Sequence, residues 1–131
     1  MPQLSNITIK KADGTTDVVY TGLSPAAGDK TPSMHRAETA HAQPALRPTM
    51  ELSGQFNGPR TARRMNGTYK YPHVVTLSGV DSAPNSSVGN VSFVAPQAVD
   101  SASQAEAVHQ FLNMLSSAEF KAAFLAGYSF T

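Results

Sequence analysis

Cysteine and tryptophan are both absent from the 131 residues. Without a thiol there is no disulfide scaffold, no cysteine-based zinc site and no thiol chemistry. Charge is sparse at 15% of residues, which argues against disorder throughout the chain. No apolar run approaches the roughly 20 residues that span a bilayer. Met1-Pro2-Gln3-Leu4-Ser5 has no basic start and no apolar stretch, so no secretory signal is read there and an intracellular compartment is expected. Aromatic residues are few, at 8%, whereas glycine and proline supply nine positions each. The apolar 40% can fill only a modest core, and a small domain so rich in turn formers has reason to use a partner chain to bury its apolar faces.

Charge is unevenly placed although the net value is only +1. Residues 30–70 carry Lys30, Arg36, Arg47, Arg60, Arg63, Arg64 and Lys70 against Glu38 and Glu51, whereas the segments on either side are net negative. A basic middle section suits a polyanion, and it equally suits an ordinary solvated surface.

Local patterns give the element order. Ser5-Asn6-Ile7-Thr8-Ile9-Lys10 and Asp17-Val18-Val19-Tyr20-Thr21 read as two strands of a hairpin turned at Asp13-Gly14. Residues 22–32 read as a loop, and Ser33 to Glu38 as a short strand. From Arg47 to Gln55 the odd positions Arg47, Thr49, Glu51, Ser53 and Gln55 are polar, and the even positions Met50 and Leu52 are apolar. Period-two alternation sends these sets to opposite sheet faces. In Arg60 to Tyr71 the polar set is even (Arg64, Asn66, Thr68, Lys70) and the apolar set odd (Met65, Tyr69, Tyr71), with Arg63 out of pattern. Pro72 predicts a bend, an edge or a strand end before a further strand at His73 to Leu77. Gly79 to Gly89 reads as a polar loop, and Asn90 to Ala95 as the last strand.

The period then changes. Ser101 with Gln104, and Ser116 with Glu119, fit capping boxes that open two helices. Val108, Phe111, Leu112 and Leu115 form an apolar stripe on the first; Phe120, Phe124 and Leu125 lie on the second, and Gly127 is placed to end it. The fold class expected is α+β: an amino-terminal β-hairpin, an antiparallel sheet and two carboxyl-terminal α-helices. One domain is expected over 1–131, with the hairpin at about 5–22, the sheet at about 33–95 and the helices at about 101–126.

Chemistry of the catalytic kind has no foothold. His35, His41, His73 and His109 lack metal-ligand spacing, and neither a G-x-S-x-G elbow nor a Gly-rich phosphate loop occurs. The expectation is no enzyme, no cofactor and no metal. The polar sheet face is the better candidate: Arg and Lys neutralise phosphates, while Thr, Ser and Asn hydrogen-bond bases or riboses. A solvated face of a one-sided sheet gives the same pattern, and Glu51 stands against phosphate binding. The helical stripes fit over the chain's own sheet or over a partner's.

The succession Arg47-Pro-Thr-Met-Glu-Leu-Ser53, Asn66-Gly-Thr-Tyr-Lys-Tyr-Pro72 and Gly89-Asn-Val-Ser-Phe-Val-Ala-Pro96, running into two terminal helices, resembles the coat proteins of single-stranded RNA bacteriophages, the leviviruses. The resemblance covers essentially the whole chain. It implies a homodimer whose sheets join edge to edge, with each chain's helices crossing the partner's sheet. Such dimers build an icosahedral shell, usually of T=3 type, made in the bacterial cytoplasm and ending in the virion with one maturation protein and no membrane. The inner sheet face binds genomic RNA and, in many members, an operator hairpin whose capture represses replicase translation.

RNA contacts are expected at Arg47 and Ser53 from the polar alternation and, by the same resemblance, at Thr49, Glu51, Arg64, Asn66, Thr68, Lys70 and Asn90. The core and dimer interface is expected at Met50, Leu52, Met65, Tyr69, Tyr71, Phe93, Val108, Phe111, Leu112, Leu115, Phe120 and Phe124. A loop gathered at the symmetry axes is expected at Val80, Asp81, Ser82, Pro84, Asn85 and Ser86. The chain departs from the family at Glu51, where a small hydroxyl side chain is usual in an adenine pocket, and at Val88, where some members stack a Tyr on a base. The competing readings are a non-viral single-stranded nucleic-acid-binding module and a structural protein of another phage organelle.

Overall fold

The computed structural model describes residues 2–130, in two compact units that divide after Val94. The first is an antiparallel meander: β1 (Ile7–Lys10), β2 (Asp17–Ser24), β3 (Ser33–Arg36), β4 (Thr49–Phe56), β5 (Ala62–Leu77) and β6 (Val80–Pro96), each paired with its neighbour in sequence. The second holds α1 (Ser101–Leu115) and α2 (Ala118–Ala126).

Turn chemistry explains the connections. At the β1–β2 turn the Asp13 carboxylate accepts from the Thr15 and Thr16 amides, both at 2.9 Å, and Gly14 takes φ 74°. These bonds hold the Asp13 carboxyl down at about 2, the Thr16 hydroxyl contributing most. At the β4–β5 turn the Asn57 side chain accepts from the Thr61 amide at 2.8 Å and the Ala62 amide at 3.2 Å. Between β5 and β6 only two residues reverse the chain, Ser78 at φ 52° and Gly79 at φ 77°. Positive φ at both central positions is what a tight hairpin turn matching strand twist requires.

That turn corrects the expectation of a loop over 79–89. Val80, Asp81, Ser82, Pro84, Asn85 and Ser86 lie on β6. A strand at the end of the sheet order tolerates polar side chains on both faces, and a proline there removes no ladder bond on its open side. Pro72 likewise does not interrupt β5, which runs 16 residues through it. Pairing with β4 has already ended at Thr49 and Lys70, so the missing N–H falls beyond that ladder. The first hairpin belongs to the same six-stranded sheet, and β2 runs on to Ser24, into the segment expected as loop.

On one face of β4 and β5 lie Met50, Leu52, Met65, Tyr69 and Tyr71. Close packing depends on a residue without a side chain. A Cβ at Gly67 would stand 2.8 Å from Val91 Cγ1 and 2.9 Å from Met50 Cε. The hydroxyls of Tyr20 and Tyr69 meet at 2.9 Å, and burial pushes the Tyr20 hydroxyl far above its ordinary range. Arg63, out of pattern in the sequence, lies on this face by register, paired with Phe56. Its guanidinium sits 4.4 Å from the Phe56 ring centroid and 3.2 Å from Asp29. Much of the face is open nonetheless: Leu52 is 39% exposed, Met65 36% and Tyr71 44%.

In the helical unit the caps fall one residue away from the expected ones. The Asp100 carboxylate, not Ser101, accepts from the Ser103 amide at 3.1 Å, because an ionised oxygen is the stronger acceptor. Ser116 ends α1, so Ser117 caps α2 through the Phe120 amide at 3.4 Å. Gly127 closes α2 in the left-handed conformation, φ 77°, as expected. Phe120 meets Phe124 and Phe130 edge-on at centroid distances of 6.2 and 5.5 Å. Neither helix contains a buried residue, and Leu112, Phe124 and Leu125 are exposed.

Gly67→Ala should therefore destabilise the protein by roughly 1–3 kcal/mol, the usual cost of overpacking. Stiff, β-branched Val91 has few rotamers by which to yield. A lower urea midpoint at unchanged slope is the expected reading; an unchanged midpoint would contradict the close approach.

Candidate nucleic-acid interface

The β4–β5 register sets Thr49 opposite Lys70, Glu51 opposite Thr68, Ser53 opposite Asn66 and Gln55 opposite Arg64. All eight side chains share one face, since each is two residues from the next along its strand. Directly opposed Cβ atoms lie about 5 Å apart, and second neighbours along a strand about 7 Å apart. On the next strand β3 places Arg36 opposite Thr49 and Met34 opposite Glu51. From β6, Asn90 joins the face, its Oδ1 accepting from the Thr68 hydroxyl at 3.2 Å. Glu51, Arg64, Thr68 and Lys70 are exposed, and Thr49, Ser53, Gln55 and Asn66 are half-buried. The structure thus brings eight of the nine expected contact residues to one sheet platform: Thr49, Glu51, Ser53, Arg64, Asn66, Thr68, Lys70 and Asn90.

Arg47 is the ninth, and it is placed elsewhere. It precedes β4, behind a short 3-10 turn at Pro44–Leu46. Its Nε donates to the His41 carbonyl at 2.7 Å, its Nη2 to the Ala42 carbonyl at 3.0 Å, and its Nη1 pairs with Glu38. Glu38 also takes Arg36 Nε at 2.7 Å, and that bond is the main reason its carboxyl lies below the usual range. Arg47 therefore organises the segment between β3 and β4. Arg64 and Lys70 are engaged in no ion pair among the described residues.

The same segment is tied to the β5–β6 hairpin. His41 Nδ1 accepts from the Gln43 amide at 2.9 Å, which leaves Nε2 to donate to Asp81 at 2.8 Å. The other Asp81 oxygen accepts from the Thr76 hydroxyl, the largest cause of the lowered Asp81 carboxyl. Among the described residues no three His, Asp or Glu side chains gather as a metal site. Sequence reasoning passes over Met34 and Arg36, because a four-residue strand gives too short an alternation to fix which side faces the platform.

Comparison with solved structures follows from this geometry. A chain of the virus-like particle of Beihai levi-like virus 21 superposes with a TM-score of 0.84 at 11% identity, covering 99% of both chains. The capsid protein of bacteriophage GA gives 0.74 at 15% identity over 97% of both, and the virus-like particle of bacteriophage AC 0.70 at 21% over 86% of this chain and 97% of that one. The fold is that of levi-like phage coat proteins. No protein-family model and no curated protein matches the sequence. Strand order, sheet and paired terminal helices agree with the α+β architecture expected from sequence.

Acid should reveal the Asp81 link. A carboxyl held below its ordinary value contributes stability fully above that value, 3.8, and loses it as pH falls. The thermal midpoint of the protein should drop more steeply below about pH 4 than that of Asp81→Asn, which cannot ionise. Parallel acid limbs would show that the contacts at Asp81 do not contribute.

Proposed function

We propose that this chain is the coat subunit of a single-stranded RNA bacteriophage, a homodimer that assembles into an icosahedral shell around genomic RNA. The carrying observation is how little of the chain buries itself. Among the described residues the buried hydrophobic side chains are Tyr20, Ala37 and Leu46, all in the sheet unit. Two features say where burial would occur. The sheet face at Leu52, Met65 and Tyr71 is open, and the helices bury no residue. In the proposed dimer each supplies the cover for the other across the two chains, and the end strand β6 continues the sheet into its partner. The fold shared with proteins of virus-like particles supports the same reading.

With the apolar face covered, the opposite face is left for RNA. Arg64 and Lys70 neutralise phosphate, and Thr49, Ser53, Asn66, Thr68 and Asn90 supply hydrogen bonds to riboses and bases. The binding represses replicase translation where an operator hairpin is captured, and it selects the genome for packaging. The protein is made in the host cytoplasm and ends in the virion, with a maturation protein as its further partner.

Recombinant full-length protein should elute in the void volume and appear as uniform shells by electron microscopy. A discrete dimer at every ionic strength would instead favour a nucleic-acid-binding module that does not form a shell. Replacing Arg64 and Lys70 together by Ala should lower the co-purifying RNA and reduce the salt slope of binding by roughly 2, one for each lost phosphate contact. Unchanged RNA content would mean that this face is merely solvated.

A further inference from the structure

Glu51 is the one acidic side chain on the platform and has the wrong charge for a surface that meets phosphate. It is exposed, and no ion pair or hydrogen bond within the described chain engages its carboxylate. It stands mid-strand, between Thr49 and Ser53 on β4 and opposite Thr68 on β5. Its row crosses four strands: Met34, Glu51, Thr68 and Asn90. The charged groups facing it are therefore cations at the platform's ends, Lys70 and Arg64, with Arg36 held by Glu38.

An ionised carboxylate only accepts hydrogen bonds, and it repels phosphate oxygens. What rests over Glu51 must present hydrogen-bond donors, a ribose hydroxyl or the N–H groups of a base edge. Among RNA bases, guanine offers two adjacent donors on its Watson–Crick edge, N1–H and the N2 amine, which match the two carboxylate oxygens. Adenine offers one, the N6 amine, beside an acceptor nitrogen that a carboxylate repels. The rest of the row fits the same base. Asn90 Oδ1 is occupied by Thr68, so its amide N–H groups are left to donate, as guanine O6 requires. Met34 supplies a soft apolar surface beside the carboxylate.

Resting on the RNA-binding reading above, we infer that Glu51 is a specificity-determining residue that selects an unpaired guanine at the centre of the platform. Lys70 and Arg64 hold the phosphates on either side, and Asn90 closes on O6. Position and repulsion act together: the cations attract the backbone, and the carboxylate excludes it from the middle row. A base edge is thereby turned toward the sheet.

The test is fluorescence anisotropy at fixed salt with the unassembled full-length chain and short oligouridines carrying one central guanosine, inosine or adenosine. Guanosine should bind about tenfold tighter than adenosine, with inosine, which lacks the N2 amine, between them. Glu51→Gln should lose the guanosine preference and move toward adenosine, because an amide pairs with the adenine edge. Glu51→Ala should bind all three alike, and each more tightly than the unsubstituted chain binds adenosine. Equal binding of guanosine and adenosine by the unsubstituted chain, or a guanosine preference that persists in Glu51→Gln, overturns the inference while leaving RNA binding intact. Failure to bind any oligomer, oligouridine included, overturns the RNA-binding reading and this inference with it.

Discussion

The molecule depends on one constraint, the antiparallel register of β4 against β5. Eight consecutive pairs, from Thr49 with Lys70 to Phe56 with Arg63, hold two alternating sequences in phase. A slip of one residue would turn Glu51 toward Met65 and Tyr69, and Leu52 toward Lys70. In phase, the same ladder makes one face apolar and the other cationic and hydroxyl-rich. Gly67 secures the phase from the apolar side, since Val91 and Met50 occupy the volume that a side chain would need. Each face carries exposed side chains of its own kind, Leu52, Met65 and Tyr71 on one and Glu51, Arg64, Thr68 and Lys70 on the other.

Around this ladder, local electrostatics decide which cations remain available. Glu38 gathers Arg36 and Arg47, Asp29 takes Arg63 above Phe56, and Asp17 takes Lys10. The exposed pair of Lys10 with Asp17 contributes little to stability. The effect of these pairs together is sorting. Among the described residues Arg64 and Lys70 lie on the polar face without such a partner, at either side of Glu51.

What the sequence discloses follows from the range of each signal. Alternation over 47–55 and 64–71 is long enough to fix both faces of β4 and β5, and the stripe from Val108 to Leu115 is long enough to fix α1. Arg47 fits the alternation by parity, but strand geometry begins only at Thr49, and Glu38, nine residues back, draws its guanidinium away. Residues 80–89 carry the composition of a loop, yet a two-residue turn at Ser78-Gly79 commits them to β6, where an open strand edge accepts Pro84 and Asn85. Arg63 breaks a pattern for a reason visible only in three dimensions, the Phe56 ring beneath it. The helix caps shift by one residue because Asp100 and Ser117 compete better for the first amides than their neighbours do.

The nearest-neighbour strand order has a consequence for how the protein comes into being. Every strand pairs with the one made just before it, so the sheet can extend hairpin by hairpin while the chain leaves the ribosome, with short loops to close at each step. The parts with which the proposed dimer would close on its partner arrive last: the 17-residue strand β6, then the two helices. In the proposed dimer, chains nascent on neighbouring ribosomes of one message would carry most of the sheet, its apolar face included, before the helices that complete the joint, which favours pairing between newborn siblings.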